Sequence, residues 1–207
     1  YVKSKNSIDL IVKSYELAKK QHEGQFRKSG DPYIQHPIEV AYMLACLKVS
    51  PETICAGFLH DVLEDTEITK ERIVKDFGPD VADIVDGVTK IGKLKYLTKE
   101  RALAKTHQKI LLAMAKDIRV ILVKLIDRVH NMRTLEFKAQ KKQQRSALET
   151  LSIYVPLAYF IGAFRLKCEL EDICLSYLKP EVYEDLNLKS ERVRKNYIKC
   201  ITETENT

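Results

Sequence analysis

Residues 60–65 (HDVLED) place four ionisable side chains within six positions, at the polar end of an apolar segment. His60 and Glu64 are four positions apart, as are Asp61 and Asp65, so each pair would share one strip of a helix surface. Burying three carboxylates beside an imidazole is costly unless a cation neutralises them. The segment therefore predicts a cation site, and the simpler alternative is a solvated helix end whose charges interact with the helix dipole.

Two other segments carry side chains that would complete such a site. Asp127 and Asn131 share a helix face where an aliphatic run ends, and His36 follows a proline-containing turn. Taken alone, His36 is typical of a cap or a hydrogen-bonded loop residue, and Asp127 would pair with Arg128 or Arg133. Together with the first segment they supply two imidazoles and two carboxylates, a donor set that suits Mn²⁺, Fe²⁺ or Zn²⁺. Because the separations match no zinc-finger spacing, the prediction depends on the fold bringing these side chains together.

The elements that must position these residues are predicted to be helices. Apolar residues recur at helical spacing, and 207 residues include only 7 Gly and 6 Pro, about half their usual shares. Segment 116–131 is compatible with a buried helix or a strand, and its length and helical neighbours favour a central helix. The fold class predicted is all-α. Helices are expected near 8–21, 38–48, 51–64, 69–77, 79–88, 99–115, 116–131, 141–154, 156–178 and 189–203.

Composition is that of a soluble globular protein. The chain is 45% hydrophobic and 31% charged, and it has neither a secretory signal pattern nor an apolar run of the about 18 residues that a membrane span needs. Five scattered cysteines without a CxxC pair are typical of reduced thiols in a cytoplasmic protein. The net charge is +6, and basic clusters at 90–95, 138–145 and 192–195 indicate either solvated faces or a rim that attracts phosphate or nucleic acid.

Four motifs resemble those of the RelA/SpoT-type alarmone hydrolases, which are HD-domain metal-dependent phosphohydrolases. The order His…His-Asp…Asp is the general HD signature, and the residues around it carry the more specific likeness. The motifs are residues 24–37 (GQFRKSGDPYIQHP), 59–66 (LHDVLEDT), 85–90 (VDGVTK) and 124–135 (KLIDRVHNMRTL). The similarity continues through 149–151 and 169–172, so it covers nearly the whole chain.

The resemblance implies an HD-domain helical bundle that removes the 3′-diphosphate from ppGpp or pppGpp, leaving GDP or GTP and pyrophosphate. It implies one Mn²⁺ as cofactor, with the ligands His36, His60, Asp61 and Asp127. The catalytic residues that it implies are Glu64, Asp65, Arg27 and Asn131. The nucleotide-binding residues that it implies are Arg27, Lys28, Asn131 and Thr134. Every principal position carries the expected residue type, which argues against a degenerate domain.

The resemblance also implies a domain organisation. Residues 1–188 would form the hydrolase domain, and 189–207 would be a helix leading toward a synthetase domain that the sequence lacks. Because the chain starts at Tyr1 without a methionine, we expect a piece of a longer bifunctional enzyme rather than a hydrolase alone. Tyr159 and Phe160 stand where relatives usually have His-Arg, a departure that bears on communication between domains. Neither a membrane nor a nucleic-acid partner is expected.

Two other classes of function stay open on the sequence alone. One is an HD phosphohydrolase that acts on a 5′-nucleotide or a cyclic nucleotide, which the extended motif at 27–30 (RKSG) argues against. The other is a non-enzymatic helical module that regulates or binds nucleic acid through the basic clusters. The intact ligand set argues against that module, because RNA binding requires none of those four residues.

Overall fold

The computed structural model describes residues 2–92 and 116–205, and within these ranges it is built of helices joined by turns. The described ranges contain no β-strand, and Phe26 and Pro32 form an isolated β-bridge in the first loop. The predicted all-α class is therefore confirmed. The helix predicted at 99–115 lies outside the described residues, as do Lys93, Lys95 and His107.

The helices follow the predicted order with modest shifts at their ends. In the first part of the chain they are α1 (Lys5–Gln21), α2 (Gln35–Cys46), α3 (Pro51–Leu59), α4 (Val62–Asp65), α5 (Lys70–Phe77), α6 (Pro79–Gly92) and α7 (Ile118–Arg133). After a 3₁₀ turn at Leu135–Phe137 come α8 (Gln140–Glu149), a π-helical turn at Thr150–Tyr154, α9 (Val155–Phe160), α10 (Phe164–Leu178) and α11 (Pro180–Glu205).

Side-chain caps define where several of these helices begin. The hydroxyl oxygens of Ser50 and Thr69 accept hydrogen bonds from backbone N–H groups in the first turns of α3 and α5. The carboxylate of Asp117 does the same for α7. Each cap satisfies one of the N–H groups that a helix leaves unpaired at its start. The helix starts predicted near residues 51 and 69 thus agree with the capped starts of α3 and α5.

Helix α7 is the buried centre of the first part of the chain. Its buried apolar side chains are Val120, Ile121, Val123, Leu125, Ile126, Val129 and Met132. The helix packs against α2, α3 and α6. Segment 116–131 thus forms the central helix and not a strand. Its apolar residues lie on nearly all sides of the helix, and they are covered because helices pack against it on several sides.

Helices α2 and α3 approach each other closely at Gly57. A Cβ atom added at Gly57 would lie 2.6 Å from Leu44 Cδ1 and 3.2 Å from the Cα of Ala41. Real Cβ atoms essentially never lie within 3.0 Å of another heavy atom, and a contact of 3.2 Å with a backbone atom is tighter than most. The absence of a side chain at this position lets the end of α3 lie against α2, where His36 is located.

The helix predicted at 51–64 is interrupted at its functional end. It ends at Leu59 and resumes at Val62 as the short α4. His60 and Asp61 keep right-handed helical dihedral angles but form a turn between the two helices. The helix predicted at 156–178 is interrupted as well, because Gly162 takes a left-handed φ of 74° and separates α9 from α10.

The chain divides into two compact units, Tyr1–Lys138 and Ala139–Thr207. The predicted boundary between 188 and 189 falls within α11, and the assignment of 1–188 to one hydrolase domain stays a prediction. Four described cysteines are free, with Cys55 and Cys174 buried and Cys46 and Cys168 exposed. In the described ranges, no helix is both long and apolar enough to span a bilayer.

Candidate metal centre

Three buried side chains, two from helices α2 and α7 and one from the turn between α3 and α4, converge in the first unit. His36, His60 and Asp127 each offer one ligand atom, and these atoms lie within 4.8 Å of one another. The Nε2 atoms of the two histidines are 3.3 Å apart, and Asp127 Oδ1 is 3.2 Å from His36 Nε2. The half-buried Asp61 joins them, with Oδ2 3.1 Å from His60 Nε2. All four residues predicted as ligands are thus brought together.

Two of these side chains lie on helices and two lie in a turn. His36 is the second residue of α2, and Asp127 lies two turns before the end of α7. His60 and Asp61 form the turn between α3 and α4, so the interruption of the predicted helix is where two of the four groups are presented. A regular helix would direct these two neighbouring side chains about 100° apart.

The hydrogen bond of His60 Nδ1 determines whether Nε2, the nitrogen that faces the cluster, carries a hydrogen. His60 Nδ1 lies 2.8 Å from the carbonyl oxygen of Gly57. A carbonyl only accepts hydrogen bonds, so Nδ1 carries a hydrogen and donates it. In the neutral ring, Nε2 then presents a lone pair to the cluster.

The same reasoning applies to His36 by one further step. His36 Nδ1 lies 2.7 Å from Nδ1 of His130, and that same nitrogen lies 3.0 Å from Nη1 of Arg27. A guanidinium group only donates, so His130 Nδ1 is an acceptor and His36 Nδ1 must carry the hydrogen between the two rings. The neutral His36 ring therefore also directs an Nε2 lone pair into the cluster.

Electron pairs thus converge on one point, and this arrangement requires a positive charge. Burial lowers the pKa of His36, which keeps that ring neutral. For His60, burial acts in the same direction, but the carboxylates of Asp61 and Asp127 outweigh it and raise its pKa to about 9. In the metal-free protein a proton on His60 supplies the missing charge. Mixed imidazole and carboxylate donors that need one cation fit a divalent transition metal.

The two carboxylates of the cluster are held in their charged form. Burial opposes ionisation of Asp127, but Lys124 and the two histidines hold the pKa of its carboxyl well below the usual range. Lys124 Nζ lies 2.8 Å from Asp127 Oδ2, the oxygen that faces away from His36. Burial likewise opposes ionisation of Asp61, and His60 overcomes it and lowers the pKa of that carboxyl.

Tyr33 contacts the cluster from the loop before α2. The motifs do not predict this contact. Its hydroxyl donates to Asp61 Oδ2 at 2.7 Å and lies 3.2 Å from Asp65 Oδ2. Burial and these two carboxylates raise the pKa of Tyr33, so the phenol stays protonated. The ring stacks on that of His22, with centroids 4.6 Å apart. Tyr33 precedes His36 by three positions, a spacing that could have indicated a shared face.

Arg27 and Asn131 connect the cluster to the loop between α1 and α2. Arg27 Nη2 donates to Asn131 Oδ1 at 2.6 Å, and the amide of Asn131 donates to Asp127 Oδ1. The loop is fixed by a hydrogen bond from the Arg27 backbone N–H to the carbonyl of Asp31 and by Gly30 at a φ of 90°. Asn131 therefore contacts the cluster directly, and Arg27 contacts it through Asn131.

A cavity of about 220 Å³ opens beside the cluster. Residues that line it include Phe26, Arg27, Lys28, Thr134, Phe137 and Lys138. Lys138 is half-buried, and burial together with the nearby cations Arg128, Arg27 and Lys28 lowers its pKa. A bound anion would relieve this concentration of positive charge. The predicted nucleotide-binding residues Lys28 and Thr134 thus lie in one cavity.

The two predicted catalytic acids lie outside the buried cluster. Glu64 and Asp65 are exposed on α4, one helical turn beyond His60 and Asp61. Asp65 is linked to Asp61 through the hydroxyl of Tyr33. This position leaves both acids accessible to water and to a ligand that approaches the cluster from outside.

The all-α fold and the buried histidine and carboxylate cluster define a helical domain with a candidate cation site. A family model described as the HD domain matches residues 14–164, so the chain belongs to the HD domain family. The order of the four candidate ligands along the chain agrees with the His…His-Asp…Asp signature of HD domains. His130, which is not among these four, lies beside the cluster through its contacts with His36 and Arg27.

Curated proteins similar to this chain carry two kinds of name. The guanosine-3′,5′-bis(diphosphate) 3′-pyrophosphohydrolase of Haemophilus influenzae is 48% identical over 180 residues, which are 87% of this chain and 27% of that protein. The GTP pyrophosphokinase of Myxococcus xanthus is 47% identical over 200 residues, which are 95% of this chain and 26% of that protein. The chain therefore spans about a quarter of the length of these relatives. The predicted likeness to RelA/SpoT-type proteins is confirmed.

One solved structure matches this chain over nearly its own full length, unlike the longer curated relatives. It is described as a metazoan ortholog of SpoT that hydrolyses ppGpp, and it aligns with a TM-score of 0.62 and 26% identity. The match covers 84% of this chain and 96% of that one. Nearly the whole of a chain described as a ppGpp hydrolase thus corresponds to most of this chain.

Proposed function

We propose that this chain hydrolyses the 3′-diphosphate of ppGpp and pppGpp, releasing pyrophosphate and leaving GDP or GTP. The observation that carries the proposal is the convergence of His36, His60, Asp61 and Asp127 beside a cationic cavity. Hydrolysis is favoured over synthesis because the metazoan chain, described as hydrolysing ppGpp, has little beyond the segment that matches.

The proposed cofactor is one Mn²⁺ held by these four side chains. Two neutral imidazoles and two carboxylates suit a metal of intermediate softness better than they suit Mg²⁺ or Ca²⁺, which prefer oxygen ligands. A divalent ion at this site supplies Lewis-acid polarisation of a phosphoryl oxygen and of water. The chain contributes the ligands in their deprotonated states, with the two Nδ1–H groups donated outward to Gly57 and His130.

The reaction that we propose requires two proton transfers. A water oxygen bonds to the phosphorus attached to the ribose O3′, the bond from that phosphorus to O3′ breaks, and pyrophosphate departs. The water loses a proton and O3′ gains one. Glu64 and Asp65 are assigned to these transfers because they are exposed carboxyl groups one turn beyond the cluster.

Nucleotide binding is assigned to the cavity beside the cluster. Lys28 and Lys138 attract the phosphate groups, and Thr134 offers a hydroxyl. Arg27 uses its Nη atoms to donate to His130 and Asn131, which favours contact of its planar face with the base over a two-pronged grip on phosphate. Asn131 positions Arg27 and Asp127 through its two amide atoms.

The setting that we propose is cytoplasmic, where guanine nucleotides are present. Because the relatives are about four times longer and are named for synthesis as well as hydrolysis, association with a synthetase segment in a longer parent chain is part of the proposal. No membrane or nucleic-acid partner is proposed for this segment.

A substrate panel tests the proposal. The purified chain is stripped of metal with a chelator and then assayed with ppGpp, GTP and a cyclic nucleotide, before and after Mn²⁺ is restored. We expect hydrolysis of ppGpp alone, and only with metal. Turnover of a 5′- or cyclic nucleotide at a similar rate would support the alternative HD phosphohydrolase. Tight RNA binding without any turnover would support a non-enzymatic module.

A further inference from the structure

One histidine that neither the ligand set nor the proposed chemistry uses lies between the two. His130 is half-buried near the end of α7, three positions after Asp127 and next to Asn131. This spacing places all three side chains on one face of the helix. His36 Nδ1 approaches the Nδ1 atom of His130 from the metal side, and Arg27 Nη1 approaches it from the cavity side.

The donors and acceptors of these contacts follow from chemistry alone. Arg27 has no acceptor atom, so its contact requires a lone pair on His130 Nδ1. His36 must then donate its Nδ1 hydrogen to the same lone pair, at 2.7 Å. Both hydrogen bonds therefore depend on a single acceptor atom, the Nδ1 of His130.

The contacts also reach the second candidate ligand. Arg27 donates to Asn131, and the amide of Asn131 donates to Asp127 Oδ1. Asp127 Oδ1 lies 3.2 Å from His36 Nε2, and both atoms present electron pairs that a bound cation would join. A chain of hydrogen bonds from His36 through His130, Arg27 and Asn131 thus ends at Asp127.

We propose that His130 is a positioning residue that holds His36 in the Nδ1–H tautomer, with Nε2 available to the metal, and at the same time fixes Arg27 over the nucleotide cavity. Ligating histidines usually donate their outer N–H to a carboxylate, a carbonyl or water, and removal of such a partner costs about 10–100-fold in metal affinity or activity. Here the partner is a second imidazole, which also accepts from the residue that faces the nucleotide.

This inference extends the proposed function, because the role of Arg27 toward a nucleotide rests on it. The role of His130 toward His36 does not rest on the proposed function. Experiments on the tautomer and on metal binding therefore judge His130 even if the parent chain fails to hydrolyse ppGpp, and that failure would overturn the proposed function separately.

Nitrogen NMR of the histidine rings reads the tautomer directly. Long-range proton–nitrogen spectra of the metal-free parent, and of the parent loaded with diamagnetic Zn²⁺, report which nitrogen of His36 carries hydrogen. We expect Nδ1–H in both states, with Nε2 unprotonated. A His36 ring protonated at Nε2 and bare at Nδ1 in the metal-free protein would overturn the proposal.

Substitutions at His130 separate an acceptor role from a packing role. His130→Asn keeps an oxygen acceptor near the position of Nδ1, whereas His130→Leu keeps bulk and removes the acceptor. We expect His130→Leu to bind Zn²⁺ about 10–100-fold more weakly and His130→Asn to recover most of this loss. Equal, parent-like affinity in both variants would contradict the proposal.

Arg27→Ala is the comparison variant, because it removes the donors to His130 and Asn131 and leaves the His130 acceptor in place. It is expected to bind Zn²⁺ as the parent does, and to raise KM for ppGpp. His130→Leu is expected to raise KM as well, even at saturating metal. A His130→Leu variant with the parent KM under those conditions would contradict the role toward Arg27. If His130→Leu fails to fold, the tautomer of the parent and the affinity of His130→Asn still decide the matter.

Discussion

The four carboxylates near α4 and α7 are expected to divide into two functional pairs. Asp61→Asn and Asp127→Asn each remove a negative ligand, so Mn²⁺ affinity and ppGpp turnover should fall together. Glu64→Gln and Asp65→Asn keep size and hydrogen bonding but remove the titratable proton, so metal should still bind. Turnover in these two variants should fall by roughly 10²–10⁴-fold, the usual value of general acid–base assistance.

Titration calorimetry with Mn²⁺ and a turnover assay on all four variants test this division. Glu67→Gln is the control, since Glu67 is an exposed acid just beyond α4. It should match the parent in both measurements. Parent-like turnover in both Glu64→Gln and Asp65→Asn would show that these acids are only surface charges, with stability effects within about 0.5 kcal/mol.

Proton release on metal binding is the second expectation at the level of single residues. A metal ligand must be deprotonated, and the metal-free pKa of His60 is raised to about 9 by Asp61 and Asp127 against the effect of burial. Below that pH the metal must displace a proton, so its affinity should fall as pH decreases from about 9. An ordinary histidine would place this fall at a pH of about 6.5.

Calorimetry in buffers of different ionisation enthalpy measures the protons released. About one proton per metal ion is expected at pH 7.5, since His36 is already neutral and both carboxylates are ionised. A metal affinity that is constant between pH 6 and pH 8 would contradict the assignment of His60 as a ligand.

At the scale of helices, the close packing of α3 on α2 positions His60. Gly57→Ala would bring a Cβ within 3.2 Å of the Cα of Ala41 and 2.6 Å of Leu44 Cδ1, so the Leu44 side chain must move and the two helices must shift slightly. We expect a loss of about 1–3 kcal/mol in the free energy of unfolding, typical of an overpacked core, together with weaker metal binding. Lys75→Ala, an exposed helical position, should change neither. Unchanged stability of Gly57→Ala, measured by chemical denaturation, would contradict this account.

Helix positions were predictable because apolar periodicity indicates which face is buried. The interruptions within the predicted helices were harder to predict. The sequence at residues 60 and 61 continues a helical pattern, whereas in the structure these residues form a turn whose side chains lie near His36 on another helix. Gly162 could have indicated its break, since glycine accepts a left-handed φ, whereas nothing local predicts the π-helical turn at Thr150–Tyr154.

The candidate site was predictable to a similar degree. The four candidate ligands were identified from the motifs, and the structure brings their side chains together. The supporting contacts of Tyr33 and His130 were missed, since they depend on which nitrogen or oxygen faces which neighbour. Spacing could have suggested them: Tyr33 lies three positions before His36, and His130 three after Asp127.

At the scale of the whole molecule, the net charge of +6 suits a polyanionic substrate, and Lys138 concentrates that charge beside the site. Of the basic cluster at 90–95, Lys90 pairs with Asp86 at 2.8 Å. Lys138→Gln should raise KM for ppGpp several-fold with little change in kcat, and added salt should reduce the difference. Lys141→Gln, at an exposed position, is the control and should behave as the parent. Equal KM values for both variants would show that Lys138 has no part in binding.

Phosphorus-31 NMR of one reaction tests the central claim most directly. The chain, with Mn²⁺ and ppGpp, is followed in time beside Asp127→Asn and a chelator-treated sample. We predict that the 3′-diphosphate signals disappear as pyrophosphate appears in equal amount, that the 5′-diphosphate signals persist as GDP, and that both controls stay unchanged. Release of orthophosphate, loss of the 5′-diphosphate, or the same time course in Asp127→Asn would contradict metal-dependent removal of the 3′-diphosphate by this site.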